Sequence, residues 1–322
     1  MSVQAAPAVT PLGLRFMADW GAFNLTRICG WLAFEVWERT GGKPSSVIHT
    51  GRGCGDNVRA LARGEVDVAI ATPAQFVEMA RHGRGSFAGE AVPQIRAIGS
   101  LPHADALLFA LPAELGITTM TQLRERRPAL RIALSPDDGE SFMGLGAVAH
   151  LRASGIEPDE IRQWGGELVY GEDPGECVAH VRAGRADAII QEAIMTPWWN
   201  ELANATELSF LSLEPEAVAA LEREYGLSTV EVPAGYLRGL DRPVTAIDFA
   251  GWLVCVRDDL DDAIADLLAA IVLETSDVLE RQYRHIPERS SPLAYPITPQ
   301  KLADTRVPLH PAAERRYAKA LR

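Results

Sequence analysis

Two stretches of this chain carry one pattern: Arg59-Ala-Leu-Ala-Arg-Gly64-Glu-Val-Asp67-Val-Ala-Ile70 and Ala179-His-Val-Arg-Ala-Gly184-Arg-Ala-Asp187-Ala-Ile-Ile190. Each reads as the end of an amphipathic helix, a glycine that stops it, and an apolar strand opened by an aspartate. Glycine suits the helix stop because the residue after the last turn commonly takes a left-handed backbone. A helix that feeds a short apolar strand is half of a βαβ unit. One such unit belongs to one sheet. Two copies 120 residues apart (187 minus 67) predict two similar α/β lobes.

Outward from these copies the alternation continues. Leu12 to Ala18, Ser46 to Thr50 and Val66 to Ala71 read as strands, with helices over Leu25 to Thr40, Val58 to Arg63 and Gln75 to His82 between or after them. A second set runs through Ile95 to Ser100, Ala106 to Leu111 and Leu130 to Ser135. It continues with the helices Phe142 to Ser154 and Cys177 to Ala183 and the strand Ala186 to Gln191. Gly251 to Arg257 adds a strand and Asp261 to Arg281 one long helix, before a proline-rich tail and a final helix from Ala312. The predicted fold class is α/β with two lobes, each a mostly parallel sheet flanked by helices, and a ligand cleft between them. Lobe one is expected to take residues 1–108 and 250–322 and lobe two residues 109–249, with hinges near 108–112 and 244–251.

The composition of the 322 residues is globular, 47% hydrophobic and 23% charged. A formal charge of -12 with scattered basic residues argues against nucleic acid, which needs clustered Lys and Arg. No apolar run approaches the roughly 20 residues of a membrane span. Residues Met1 to Leu14 show neither a basic start nor an apolar stretch, so no secretory signal is read. The expected location is therefore periplasmic if a signal was removed and cytoplasmic otherwise. Cys29, Cys54, Cys177 and Cys255 are far apart, which fits neither a zinc knuckle nor a disulfide framework. No cofactor fingerprint and no metal-ligand spacing is present.

Ligands of open α/β sheets bind beyond the carboxyl ends of the strands. Three loops hold that place: Asp19 to Leu25, Gly51 to Asn57 and Ser135 to Phe142. They offer Trp20, Phe23, Asn24, Arg52, Cys54, Asp56, Asn57, Glu140 and Ser141 as candidate binding residues, and Trp198 as a wall beside them. Arg52 can clamp a carboxylate bidentately, so a small organic anion is the expected partner. The alternative roles are ordinary ones: a solvated arginine, a capping Asn57, first-turn acids at Asp137, Asp138 and Glu140, and a core tryptophan. Cys54 in a glycine-rich loop, with His49 five residues upstream, is the weak candidate for catalysis.

Four stretches carry a family resemblance: Thr50 to Asp67, Gly116-Ile-Thr-Thr-Met-Thr-Gln-Leu123, Leu151 to Ile161, and Val307-Pro-Leu-His-Pro-Ala-Ala-Glu-Arg-Arg-Tyr317. On these the chain resembles the TAXI-type solute-binding proteins of TRAP transporters, a branch of the type II periplasmic-binding-protein fold. The resemblance implies membrane subunits of a TRAP transporter as partners; the glycine loops and Arg52 supply the expectation of closure around a small organic anion such as a carboxylate, and no cofactor is expected. The chain departs from the family pattern at Trp20-Gly-Ala-Phe-Asn-Leu25, where a Gly-Gly pair and a Tyr are usual, and at Cys54, where Ser is usual. The rival expectation is a cytoplasmic protein on the same fold: a decarboxylase- or lyase-type enzyme for a small carboxylic acid, or a ligand sensor.

Overall fold

Both aspartates of the repeated pattern fasten the strand they open. Asp67 accepts from the backbone N–H of Arg15 at 2.8 Å and from its guanidinium at 3.1 and 2.7 Å. Asp187 does the same to Arg131, at 3.0 Å from the backbone and 3.0 and 2.6 Å from the side chain. Each aspartate's own N–H returns a bond to the arginine carbonyl. Bidentate pairing of this kind fixes geometry as well as charge. Gly64 and Gly184, with φ of 70° and 67°, are the left-handed stops that let each helix turn into its strand.

The computed structural model describes residues 13–19, 24–42, 45–193, 197–287, 291 and 293–322. In chain order the strands are β1 (Arg15–Asp19), β2 (Val47–Gly51), β3 (Val68–Ala71), β4 (Ile95–Leu101), β5 (Ala106–Pro112) and β6 (Arg131–Leu134). They continue with β7 (Glu167–Tyr170), β8 (Ala188–Glu192), β9 (Leu208–Leu211), β10 (Thr229–Val232), β11 (Val244–Asp248) and β12 (Trp252–Arg257). One sheet has the order β2-β1-β3-β12-β4, parallel through β2-β1-β3 and antiparallel at β12. The other has the order β10-β11-β5-β8-β6-β7, with β9 also on β5. It is parallel through β8-β6-β7 and antiparallel from β5 outward.

The chain passes between the sheets twice, at residues 102–105 and 249–251. The first passage comes earlier than the expected hinge at 108–112, because β5 already pairs with β8, β9 and β11 from Ala106 onward. The second lies at the end of the expected stretch 244–251, most of which is β11. Helix boundaries also differ at two informative places. The helix after β2 spans Cys54–Ala62, so four residues expected in a loop form its first turn. The long helix from Asp261 is two, Asp262–Thr275 and Asp277–Tyr283, meeting at Ser276.

The core is shared between the sheets. Phe76 of the first unit meets Phe142 of the second in a tilted pair with centroids 5.4 Å apart, and Phe142 meets Phe249 of the second passage edge-on at 5.4 Å. All three are buried. The C-terminal helix Pro311–Ala320 closes the far side of the first sheet, packed on Asp262–Thr275 through Arg316–Asp266 and Arg315–Asp262 pairs. Among the described residues no helix is long and apolar enough to cross a membrane.

Tyr317 of that last helix lies over Gly99 of β4, where an added Cβ would come within 2.4 Å of the phenol oxygen. Gly99→Ala is expected to cost about 1–3 kcal/mol by overpacking. The Tyr317 hydroxyl is buried without a hydrogen-bond partner, so Tyr317→Phe should be near neutral, and it should rescue most of the Gly99→Ala loss. A double-mutant cycle by urea unfolding reads both; a loss that Tyr317→Phe leaves untouched would assign the strain elsewhere.

Candidate functional site

The strands of the two sheets end in loops that meet. After β2, the turn Gly51–Gly53 and the start of helix Cys54–Ala62 dock on residues 136–141, which lie between β6 and the helix Phe142–Ala153. The Gly55 N–H donates to the Glu140 carbonyl at 2.8 Å. A Cβ on Gly53 would fall 2.3 Å from the Glu140 carbonyl oxygen, and one on Gly55 2.4 Å from that of Gly139. Glycine is required here by backbone approaching backbone. One turn further, Arg59 reaches the Gly139 carbonyl at 2.9 Å and the Glu140 carboxylate at 3.3 Å. The same guanidinium is braced from its own side by the Ser86 carbonyl at 2.9 Å, by Glu90 at 3.0 Å and by the Phe87 ring at 4.6 Å. Arg52 approaches the other oxygen of Glu140 at 3.5 Å.

Beneath this contact lies an acidic floor. Asp19, at the end of β1, is buried and accepts from the Asn57 side-chain amide, which also donates to the Ile70 carbonyl at 3.0 Å. The Asn57 oxygen sits where a Gly51 side chain would have to be, 2.1 Å from the position of a Cβ. Burial pushes the Asp19 carboxyl up to about 8, with the Asn57 bond opposing and Asp56 adding to the rise. Glu192 ends β8 on the opposite sheet. Burial, then Asp105 and Asp19, hold its carboxyl well above the usual range. Its backbone carbonyl is anchored by the Trp199 indole at 2.7 Å. On the first passage between the sheets, His103 and Asp105 complete the group, with acceptor and donor atoms of His103, Asp105 and Glu192 all within 4.8 Å of one another.

The expected site residues fall into distinct places. Trp20 and Phe23 lie outside the described residues. Asn24 opens the helix Asn24–Arg39, and its side-chain oxygen accepts from the Tyr283 hydroxyl at 2.6 Å. Arg52, 66% exposed at its side chain, sits at the rim on Glu140. Asp56 accepts from the Arg52 backbone N–H at 3.2 Å. Asn57 is buried on Asp19 and is not the helix cap, a position held by Gly53. Ser141 is the N-cap of Phe142–Ala153, accepting from the Met143 N–H at 3.2 Å. Trp198 packs toward Gly175 at the start of the helix Pro174–Arg182. Cys54 is buried, and that burial drives its thiol pKa far up, away from the thiolate a nucleophile needs. His49 is on the exposed edge strand β2. Arg52, Asp56 and Glu140 are thus brought together at the rim, Cys54 and Asn57 lie below them, and Asn24 and Trp198 are engaged elsewhere.

Asp19, His103, Asp105 and Glu192 were not among the expected site residues. The available signal was an acid closing an apolar strand, in Phe-Met-Ala-Asp19 and Ile-Ile-Gln-Glu192. Charge at the carboxyl end of a buried parallel strand points at the cleft.

The family model described as NMT1-like family matches residues 35–319. No curated protein matches the sequence. Among solved structures, PhnD1 from Prochlorococcus marinus (MIT 9301) in complex with methylphosphonate is similar at a TM-score of 0.51 and 13% identity, over 81% of this chain and 84% of that one. A structure described as a periplasmic transporter is similar at 0.47 and 14% identity, over 96% and 94%. A periplasmic binding protein from Brucella ovis with glutathione bound is similar at 0.44 and 15%, over 86% and 75%. The fold is the type II periplasmic-binding-protein fold, with the two sheets on either side of the contact described above.

The acidic floor has a signature in stability. The folded state keeps the Asp19 proton up to about pH 8, whereas the unfolded chain releases it near the ordinary value of 3.8. Between those values the unfolded state binds fewer protons, so stability falls as pH rises, by up to about 1.4 kcal/mol per pH unit. Asp19→Asn should flatten that fall. Urea midpoints from pH 5 to 8 in a chelating buffer test it, and an unchanged slope would mean Asp19 is already ionised in the folded chain.

Proposed function

We infer the role of this chain from its family and its cleft together: it belongs to the NMT1-like family, and we propose that it is a solute-binding protein that closes two lobes around a small organic ligand. The observation that carries this is the docking of the Gly51–Gly55 backbone and Arg59 of one lobe on Gly139 and Glu140 of the other. Separation of the two lobes would break this contact, which lies over polar groups from the ends of both sheets. Hinge rotation at 102–105 and 249–251 would open it.

The proposed ligand is a small carboxylic acid that also carries a cationic or donor-rich group, as an amino acid does. Arg52 and Arg59, the cations at the rim, both engage Glu140, and the groups below are Asp19, Asn57 and Glu192. The buried carboxyls of Asp19 and Glu192 resist ionisation, and a bare anion placed beside them raises that cost further. An ammonium facing Asp19 and Glu192 removes that cost, while the start of helix Phe142–Ala153 favours the carboxylate. The proposed partner is a membrane transporter that reads the closed state, and the proposed location is extracytoplasmic. The four stretches that resemble TAXI-type proteins support a TRAP-type transporter in particular. An enzymatic role draws no support from Cys54, whose thiol is held protonated.

A thermal-shift panel of amino acids, dicarboxylates and simple amines should give its largest rise with a zwitterion. Mass spectrometry of the incubated hit should return it unchanged; recovered product would replace the binding role with a catalytic one. Glu140→Ala removes the anion shared by Arg52 and Arg59, so ligand off-rates by stopped flow should rise about 5- to 20-fold as the closed population falls. Unaltered off-rates would separate this contact from closure.

A further inference from the structure

The first passage between the sheets brings together three groups, of which the proposed binding role calls on Glu192 alone. His103 and Asp105 come from the passage itself and Glu192 from the end of β8. His103 is 4% exposed, and neither of its ring nitrogens has a hydrogen-bond partner. A buried imidazole with two idle nitrogens is uncommon, because each unmade bond costs free energy. Its ring plane is fixed by stacking on Trp252, with centroids 4.6 Å apart at 23°. In that orientation Nε2 lies 3.6 Å from the Asp105 carboxylate. This is too long for a hydrogen bond. It is close to the spacing of about 3.4 Å between two ligands that share a tetrahedral ion at roughly 2.1 Å from each.

Two carboxyls and the imidazole crowd the same point, their ligand atoms all within 4.8 Å of one another. Buried carboxyls so placed need either a shared proton or a cation between them. A shared proton satisfies the two acids but leaves the imidazole idle. A cation uses all three.

We propose that His103, Asp105 and Glu192 form a divalent-metal site, one imidazole nitrogen and two carboxylate oxygens around a single ion. The mixed nitrogen and oxygen set favours Zn²⁺ or Mn²⁺ over Mg²⁺ and Ca²⁺, which prefer oxygen alone. A cavity of about 180 Å³ lined by His103, Asp105, Val230, Tyr236 and Asp248 reaches the site and leaves an ion room to enter. The ion would sit where the chain crosses between lobes, joining the passage to the end of β8, so its presence would stiffen the hinge. This inference stands apart from the identity of the organic ligand.

The test uses the full chain, stripped with chelator and desalted, titrated calorimetrically with ZnCl₂ and with MnCl₂. One ion per chain is expected, with micromolar or tighter affinity and a raised melting temperature. His103→Gln and Glu192→Gln should each weaken binding at least tenfold, with circular dichroism in chelator verifying the fold. Should either variant fail to fold, the Mn²⁺-loaded natural chain supplies an independent reading: electron spin-echo envelope modulation should show one directly bound imidazole nitrogen. Absence of that coupling, affinity that survives both substitutions, or a flat titration with both ions would each overturn the site. The last result would leave the three groups without an ion. Mg²⁺ or Ca²⁺ binding that is indifferent to His103→Gln would also overturn it.

Discussion

Asp67 with Arg15 and Asp187 with Arg131 set the level at which every other feature of this protein is built. Each pair ties the first residue of one parallel strand to the residue just before its neighbour through backbone and side chain at once. The registers that follow are the same in both sheets, Phe16 opposite Val68 and Ile132 opposite Ala188. In a parallel pair a slip of one residue would reverse which side chains face the core. Fixing the strand starts fixes the strand ends, and the ends are where Asp19 and Glu192 meet. The pairs are partly exposed, so their contribution lies in geometry more than in energy.

A second constraint acts across the cleft. The Gly53 and Gly55 backbones approach the carbonyls of Glu140 and Gly139 more closely than any side chain permits. That contact is polar and small. The apolar series Phe76, Phe142 and Phe249 runs behind it and supplies burial that a few hydrogen bonds do not. A binding protein needs its closed state to be only marginally favoured, so that ligand decides the population. Glu140, shared between Arg52 and Arg59, is the charge on which we propose that balance turns.

The charge of the floor reverses the emphasis that the rim suggests. Arginines and helix starts at the rim speak for an anion, whereas Asp19, Asp105 and Glu192 below speak for positive charge. Both hold when ligand carries both signs, or when a metal ion takes part of the floor. The two readings occupy neighbouring places: the organic ligand beneath Glu140, between Asp19 and the helix Phe142–Ala153, and the ion at the passage beside Trp252. The electrostatic cost of one acid depends on how its neighbours are neutralised, as the influence of both Asp105 and Asp19 on Glu192 indicates.

The sequence by itself determined the two α/β lobes, because periodicity, glycine stops and opening aspartates are local signals and recur at Asp67 and Asp187. It also marked the loops Gly51 to Asn57 and Ser135 to Phe142 as strand-end loops, and the Gly55 and Arg59 bonds to Gly139 and Glu140 join these two. It did not determine what the named side chains do there. Arg52 looked like a ligand clamp, but Glu140 stands 88 residues away in sequence and beside it in space. Asn57 looked like a cap until the helix began at Cys54 and turned its amide toward Asp19. The split at Ser276 and the early passage at 102–105 depended likewise on packing and strand pairing. His103 and Asp105 are neighbours along the chain, two residues apart, but Glu192 comes 87 residues after Asp105 (192 minus 105). Only the tertiary structure joined them, for the physical reason that a metal or ligand site is defined by distances of a few ångströms, whereas sequence records adjacency along the chain alone.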